Sequence, residues 1–148
     1  MSKTRSLKTT ILVAEDNEDN RFIMKILLEM RGYKVVTAAN GHEAIANAEH
    51  ERPDLILMDL RMPLLNGLAA TRQLRQHADA RLRQIPVIAL SAYDPAQHRA
   101  VAIAAGCNDY VTKPIDYDGL EKLIDAFLPA RTQPALPDIV PPNEVLSL

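Results

Sequence analysis

Cysteine is nearly absent: Cys107 stands alone, so no disulfide can close within the chain and nothing points to an oxidising compartment. No apolar run approaches the roughly 18 residues of a transmembrane helix. The start, Met1-Ser2-Lys3-Thr4-Arg5-Ser6, is basic but lacks the apolar stretch of a signal peptide. The expected compartment is the cytoplasm. An excess of one charge is missing too: 17 basic residues face 19 acidic ones, a net −2. That leaves no basic footprint for nucleic acid and no polybasic patch for a membrane. No glycine-rich turn follows the first strand-like run. Ala14-Glu15-Asp16 puts negative charge there instead, which argues against a dinucleotide site.

What is present suits one domain with a short extension. A body of about 120 residues can bury a core without disulfides, and 47% hydrophobic content fits a globular chain. Strand and helix signals alternate five times. Strands are expected near Ile11 to Ala14, Lys34 to Ala38, Leu55 to Met58, Val87 to Leu90 and Tyr110 to Thr112. The first helix runs from about Glu18 to Arg31, with Ile23, Ile26, Leu27 and Met30 at helical spacing, and Gly32 stops it. Asn40 with Glu43 forms a capping pair that opens the second. The third begins near Asn66 and reaches about Gln76, followed by a polar stretch, His77 to Gln84, read as a loop or fraying helix end. Asp94-Pro95 caps the fourth, which Gly106 ends, and the fifth opens at Asp116. Alternating βα units imply a parallel sheet covered on both faces.

Four of the strand-like runs end in chemistry. Ile11-Leu12-Val13-Ala14 delivers Glu15-Asp16, Leu55-Ile56-Leu57-Met58 delivers Asp59, Val87-Ile88-Ala89-Leu90 delivers Ser91, and Tyr110-Val111-Thr112 delivers Lys113-Pro114. In open α/β sheets the carboxyl edge is where ligands bind. Acids that hold a divalent cation, with a lysine and a hydroxyl, make a phosphate site. Each group has a plainer reading alone. Glu15 and Asp16 suit an N-cap, Lys113 suits a solvated surface charge, and serine ends many strands. Asp59 is a poor helix cap, because Leu60 to Leu65 separate it from the next helix. A Lys113-Pro114 bond in the cis form would aim the ammonium inward.

Together, Glu15-Asp16, Asp59 with Met62-Pro63 and Gly67, Ser91-Ala92 and Lys113-Pro114 resemble the receiver domain of two-component response regulators, over roughly residues 8 to 128. The resemblance implies a flavodoxin-like (βα)5 fold with a five-stranded parallel sheet in the order 2-1-3-4-5. It divides the chain into an N-terminal extension (1–8), a receiver domain (9–128) and a Pro-rich flexible tail (129–148). It implies that Asp59 is the phospho-acceptor. Magnesium or manganese would sit on Asp16, Asp59 and the main-chain carbonyl of Arg61, with Glu15 acting through water. Ser91 and Lys113 would hold the phosphoryl group, and Ser91 and Tyr110 would form a switch. For Tyr110 the plain alternative is a half-buried strand residue.

The donor would be a sensor histidine kinase or a His-phosphotransfer protein. Output would pass to another protein through the face of the fourth helix, fifth strand and fifth helix, with no nucleic acid and no membrane involved. Alternatives are a phosphorelay intermediate and a degenerate receiver that binds partners constitutively, although no acid, nucleophile or lysine is missing. An aspartyl-nucleophile phosphatase fits poorly, since Arg61 stands two residues after Asp59. Only slow self-catalysed phosphoryl transfer and hydrolysis are expected. His42, His50, His77 and His98 lack ligand spacing and read as surface residues. Cys107 reads as a small packed side chain. The tail reads as extended, but Leu136, Ile139, Val140, Val145 and Leu146 leave open that it docks.

Overall fold

The computed structural model describes residues 9–128. The extension 1–8 and the tail 129–148 lie outside the described residues. In chain order the elements are β1 (Thr10–Ala14), α1 (Glu18–Met30), β2 (Lys34–Ala38), α2 (Gly41–Glu51), β3 (Leu55–Asp59) and α3 (Gly67–Arg75). They continue with α4 (Ala80–Gln84), β4 (Val87–Ser91), α5 (Pro95–Ala105), β5 (Asp109–Thr112) and α6 (Tyr117–Phe127). Five parallel strands lie in the order β2-β1-β3-β4-β5. The expected fold class is the one observed.

The sheet's burial explains its sequence. Every residue of β3 and β4 is buried, as continuous apolar runs in central parallel strands require. Side chains alternate between two cores. Leu12, Ile56, Met58, Val87 and Ala89 pack with α2, α3 and α5 residues on one face. Ile11, Leu55, Leu57, Ile88 and Leu90 pack with Met24, Leu28, Leu120 and Ile124 of α1 and α6 on the other. Among the described residues no helix is long and apolar enough to cross a membrane.

The caps follow the sequence. Asn40 Oδ1 accepts from the Glu43 N–H at 2.9 Å, and Glu43 Oε1 reaches back to the Ala39 N–H at 2.8 Å. Asn66, Asp94 and Asp116 cap α3, α5 and α6, and Pro95 opens α5.

Three expectations need correction. The stretch 77–84 is not loose: Asp79 caps a short helix, α4, whose Leu82 is buried. A single buried leucine carries no periodicity, so the pattern was invisible. His77 is half-buried and not simply a surface residue. Its Nε2 lies 2.7 Å from Glu49 Oε2, and its Nδ1 accepts from the Asp79 N–H. The apolar spacing on α1 does not mark its inward face. Met24 and Leu28 point into the core, whereas Ile23, Ile26 and Met30 are exposed.

Candidate functional site

The carboxyl ends of β1, β3, β4 and β5 bring the singled-out side chains together. Asp59 ends β3 and is only 4% exposed. Its Oδ1 accepts from the Arg61 N–H at 2.9 Å and its Oδ2 from Lys113 Nζ at 2.8 Å. Lys113 Nζ also donates to Glu15 Oε1 at 2.8 Å. One ammonium therefore serves two buried carboxylates. The Lys113 N–H donates to the Ser91 carbonyl at 2.8 Å, and the Lys113–Pro114 peptide is cis.

The acid pair is pinned from below. Glu15 is 2% exposed, and its Oε2 accepts from the Asn17 N–H at 3.1 Å. Arg21, one turn into α1, donates through Nη1 to the Glu15 carbonyl at 2.8 Å and the Asp16 carbonyl at 3.3 Å. That role was not legible in the sequence, because an arginine on a first helical turn has no pattern of its own. Gly67 is required where α3 meets β3: a Cβ there would lie 2.2 Å from the Asp59 carbonyl oxygen.

Burial pushes the Glu15 carboxyl above its ordinary range, and the Asp59 charge adds to this. Its bonds to Lys113 and Asn17 only partly offset them. For Lys113, burial alone would lower the pKa. The hydrogen bonds to Asp59 and Glu15 outweigh it and raise the ammonium above its ordinary value. Negative charge contributes to both shifts: Asp59 adds to the effect of burial on Glu15, and the two carboxylates hold the proton on Lys113.

Carboxylate oxygens of Glu15, Asp16 and Asp59 lie within 4.8 Å of one another, with Asp16 exposed. Hard oxygen donors, crowded and open to solvent on one side, suit magnesium, which keeps several waters beside one or two carboxylates. An adjoining cleft of ≈ 420 Å³ is walled by Asp16, Arg61, Met62, Pro63 and Asn66. The residues fit the cation.

Ser91 closes β4 and is 1% exposed, and its Oγ accepts from the Tyr93 N–H at 3.1 Å. Tyr110 is buried, and its hydroxyl donates to the Tyr93 carbonyl at 2.8 Å. Ser91 and Tyr110 thus hold the same loop residue by its two backbone groups. The Arg61 guanidinium lies 5.0 Å from the centre of the Tyr93 ring, and the His98 ring centre is 4.6 Å from the same point. His98, read as a surface residue, therefore has its ring against Tyr93. Cys107 is buried and donates weakly to Thr71 Oγ1 at 3.8 Å, a packed side chain as expected.

The response regulator receiver domain model matches residues 11–125. Protein PilH of Pseudomonas aeruginosa is 40% identical over 118 residues, covering 80% of this chain and 96% of its own. The polar-differentiation response regulator DivK of Brucella anthropi is 37% identical over 119 residues, covering 80% and 95%. Among solved structures, the receiver domain of sensor histidine kinase PA1611 from P. aeruginosa, with magnesium coordinated in its active-site cleft, is similar at TM-score 0.74. It is 38% identical, and the match covers 82% of this chain and 98% of that one. The Saccharomyces cerevisiae receiver domain of Ssk1, solved with the histidine phosphotransfer protein Ypd1, is similar at TM-score 0.75. It is 28% identical, with 87% and 94% covered. Fold, acidic cluster and relatives agree, and the chain belongs to the response regulator receiver domain family.

Proposed function

We propose that Asp59 accepts a phosphoryl group from a phosphohistidine on a sensor histidine kinase or a histidine-phosphotransfer protein. The observation that carries this is a buried carboxylate at the sheet's carboxyl edge, held by Lys113 and the Arg61 N–H inside a cluster of three acids. An Asp59 oxygen bonds to phosphorus while the P–N bond breaks and the imidazole leaves with the electron pair. When bound, magnesium or manganese neutralises charge on the carboxylates and the phosphoryl oxygens. Asp16, Asp59 and the Arg61 carbonyl would hold it, with Glu15 acting through water.

Lys113 already touches the Asp59 carboxylate, so its ammonium needs only a small shift to meet a phosphoryl oxygen. Ser91 Oγ accepts from Tyr93, which leaves its own hydroxyl proton to donate. If Ser91 turns toward the phosphoryl group, it releases the Tyr93 N–H, and Tyr110 is the next group on that loop. The change would be read by a partner protein on α5, β5 and α6, which include the elements expected to form the output face. The likeness to a receiver solved with a histidine phosphotransfer protein supports onward or reverse transfer as a second use of the same geometry. Hydrolysis would be slow and self-catalysed. The buried, unpaired Cys107 suits the reducing cytoplasm, where we place the chain.

The test is intact-mass measurement after incubation with acetyl phosphate and magnesium. The chain should gain one phosphoryl group, and Asp59→Asn should gain none. A phosphorylated Asp59→Asn protein overturns the assignment.

A further inference from the structure

The three acids at the carboxyl edge are not held alike. The Glu15 carboxylate accepts from Lys113 Nζ and the Asn17 N–H, and the Asp59 carboxylate from Lys113 Nζ and the Arg61 N–H. Asp16 is exposed, and among the described residues no donor reaches its carboxylate. Its direction is set only by the backbone that carries it.

That backbone has left β1 and has not yet entered α1. The Glu15 N–H still pairs with the Ala38 carbonyl at 2.9 Å, but the Glu15 and Asp16 carbonyls meet no main-chain donor. Such orphan carbonyls need partners from elsewhere. Both find the same one: Arg21 Nη1 donates to the Glu15 carbonyl at 2.8 Å and to the Asp16 carbonyl at 3.3 Å. These carbonyls belong to the two peptides that flank the Asp16 Cα. Each peptide is planar, so pinning both fixes φ and ψ of Asp16 and with them the direction of its Cα–Cβ bond. Arg21 is itself anchored, because its N–H bonds to the Asn17 carbonyl at 2.9 Å in the capped first turn of α1.

A guanidinium in this place can act in two opposite ways. As a charge it repels a divalent cation, and its loss would tighten magnesium binding. As a clamp it keeps Asp16 beside Glu15 and Asp59, and its loss would weaken binding. The geometry favours the clamp. Both Arg21 bonds go to main-chain carbonyls and none to a carboxylate. The groups that shift Glu15 are its burial, Lys113, Asn17 and Asp59, with no part for Arg21, so little of its charge is felt inside the cluster. Groups that orient metal ligands without touching the metal are worth about 10- to 100-fold in affinity.

We propose, on the cation site read above, that Arg21 is a positioning residue: it sets the affinity of the chain for magnesium by fixing the Asp16 backbone, not by its charge.

The test is amide NMR of the full chain. Without magnesium, Arg21→Met, which keeps a helix-forming apolar stem, should lower the heteronuclear NOE of the Asp16 and Asn17 amides. The sheet amides of Leu57 and Ile88 should stay as they are, which shows that the fold is intact. Titrated with magnesium chloride and followed at the Asp59 and Lys113 amides, Arg21→Met should bind about tenfold more weakly than wild type, or worse. Arg21→Lys keeps the charge and a donor on a shorter stem, and should recover part of the loss. Lys25→Met removes a cation one turn further along α1, now paired with Glu29, and should bind magnesium no more weakly than wild type. An Arg21→Met chain that binds magnesium as tightly as wild type, or more tightly, overturns the proposal, and so does an Asp16 NOE that does not fall. A wild-type chain whose amides magnesium does not move overturns the cation site and the proposal with it, and the magnesium-free NOE then still reports whether the clamp exists.

Discussion

The two edges of the sheet use the same kinds of residue to opposite ends. At the amino edge, polar side chains tie chain to chain. Asp54 Oδ2 accepts from the Thr10 N–H at 2.8 Å, and Asn108 Oδ1 accepts from the Val87 N–H at 2.8 Å and from Arg75 Nη2 at 2.9 Å. Arg75 Nε adds a bond to the Gly106 carbonyl at 2.9 Å. At the carboxyl edge, Glu15, Asp16 and Asp59 crowd around one ammonium, and burial and repulsion raise Glu15. At the amino edge these donors meet neutral oxygens or a single carboxylate; at the carboxyl edge three carboxylates crowd one ammonium. Such a surplus is what a divalent cation can relieve, and it is what sets the carboxyl edge apart from the amino edge.

The largest effect should come from Asp16→Ala at the carboxyl edge. Magnesium at about 100 times its Kd should stabilise the wild-type chain by about 2.7 kcal/mol in thermal unfolding. The variant should lose that gain together with phosphorylation by acetyl phosphate. Without magnesium it should be at least as stable as wild type, because one repelling charge has gone. Tight magnesium binding retained by Asp16→Ala would contradict the ligand assignment.

Asn108→Ala tests the other edge. It strands the Val87 N–H and should cost about 1 kcal/mol in urea unfolding. Phosphorylation of the folded variant should be unchanged. A lost phosphorylation rate with intact stability would blur the division between the edges.

At the rim, the Arg61–Tyr93 contact would, on the function proposed above, screen an in-line water from the acyl phosphate. Removing a contact of about 1 kcal/mol should speed phosphoryl loss roughly fivefold. Arg61→Asn and Tyr93→Ala should each do so, and the double variant little more than either, because they break one contact. Decay rates that stay at the wild-type value in both would show that the contact shields nothing.

The smallest effect concerns Tyr33, at the amino end of β2. Burial first, then Asp125 and Glu121, raise its phenol above the ordinary 10.0. The fold keeps the proton that the unfolded chain gives up, so the folded state binds more protons between the two pKa values. Stability from this group is therefore full below about pH 10 and falls as pH rises past it. Urea midpoints at pH values on either side should fall less for Tyr33→Phe than for wild type. Identical slopes would mean that the phenol is not held neutral by its surroundings.

Much of the carboxyl edge was legible in the residues. Asp59, Ser91 and Lys113 each close an apolar run, and a parallel sheet puts such ends on one edge, so their meeting needs no contact map. The amino edge was not legible. Asn108 and Arg75 are 33 residues apart, and their bond depends on where α3 and β5 pack. The Arg21 clamp and the His98 contact with Tyr93 were hidden for the same reason. Each is a single side chain whose partner is chosen by packing.

Helix α1 shows where sequence stops and tertiary structure begins. Its sequence determined that a helix forms: Asn17 caps it, Glu18 and Asp19 favour its amino end, and Gly32, at φ 97°, turns the chain out of it. But Phe22, Ile23, Met24, Ile26, Leu27, Leu28 and Met30 wrap most of its circumference, so hydrophobicity could not say which side goes in. Packing decided that. The core formed by β1, β3 and α6 accepts Met24 and Leu28, and with them in place the rotation of the helix is set, which turns Phe22, Ile26 and Met30 to solvent.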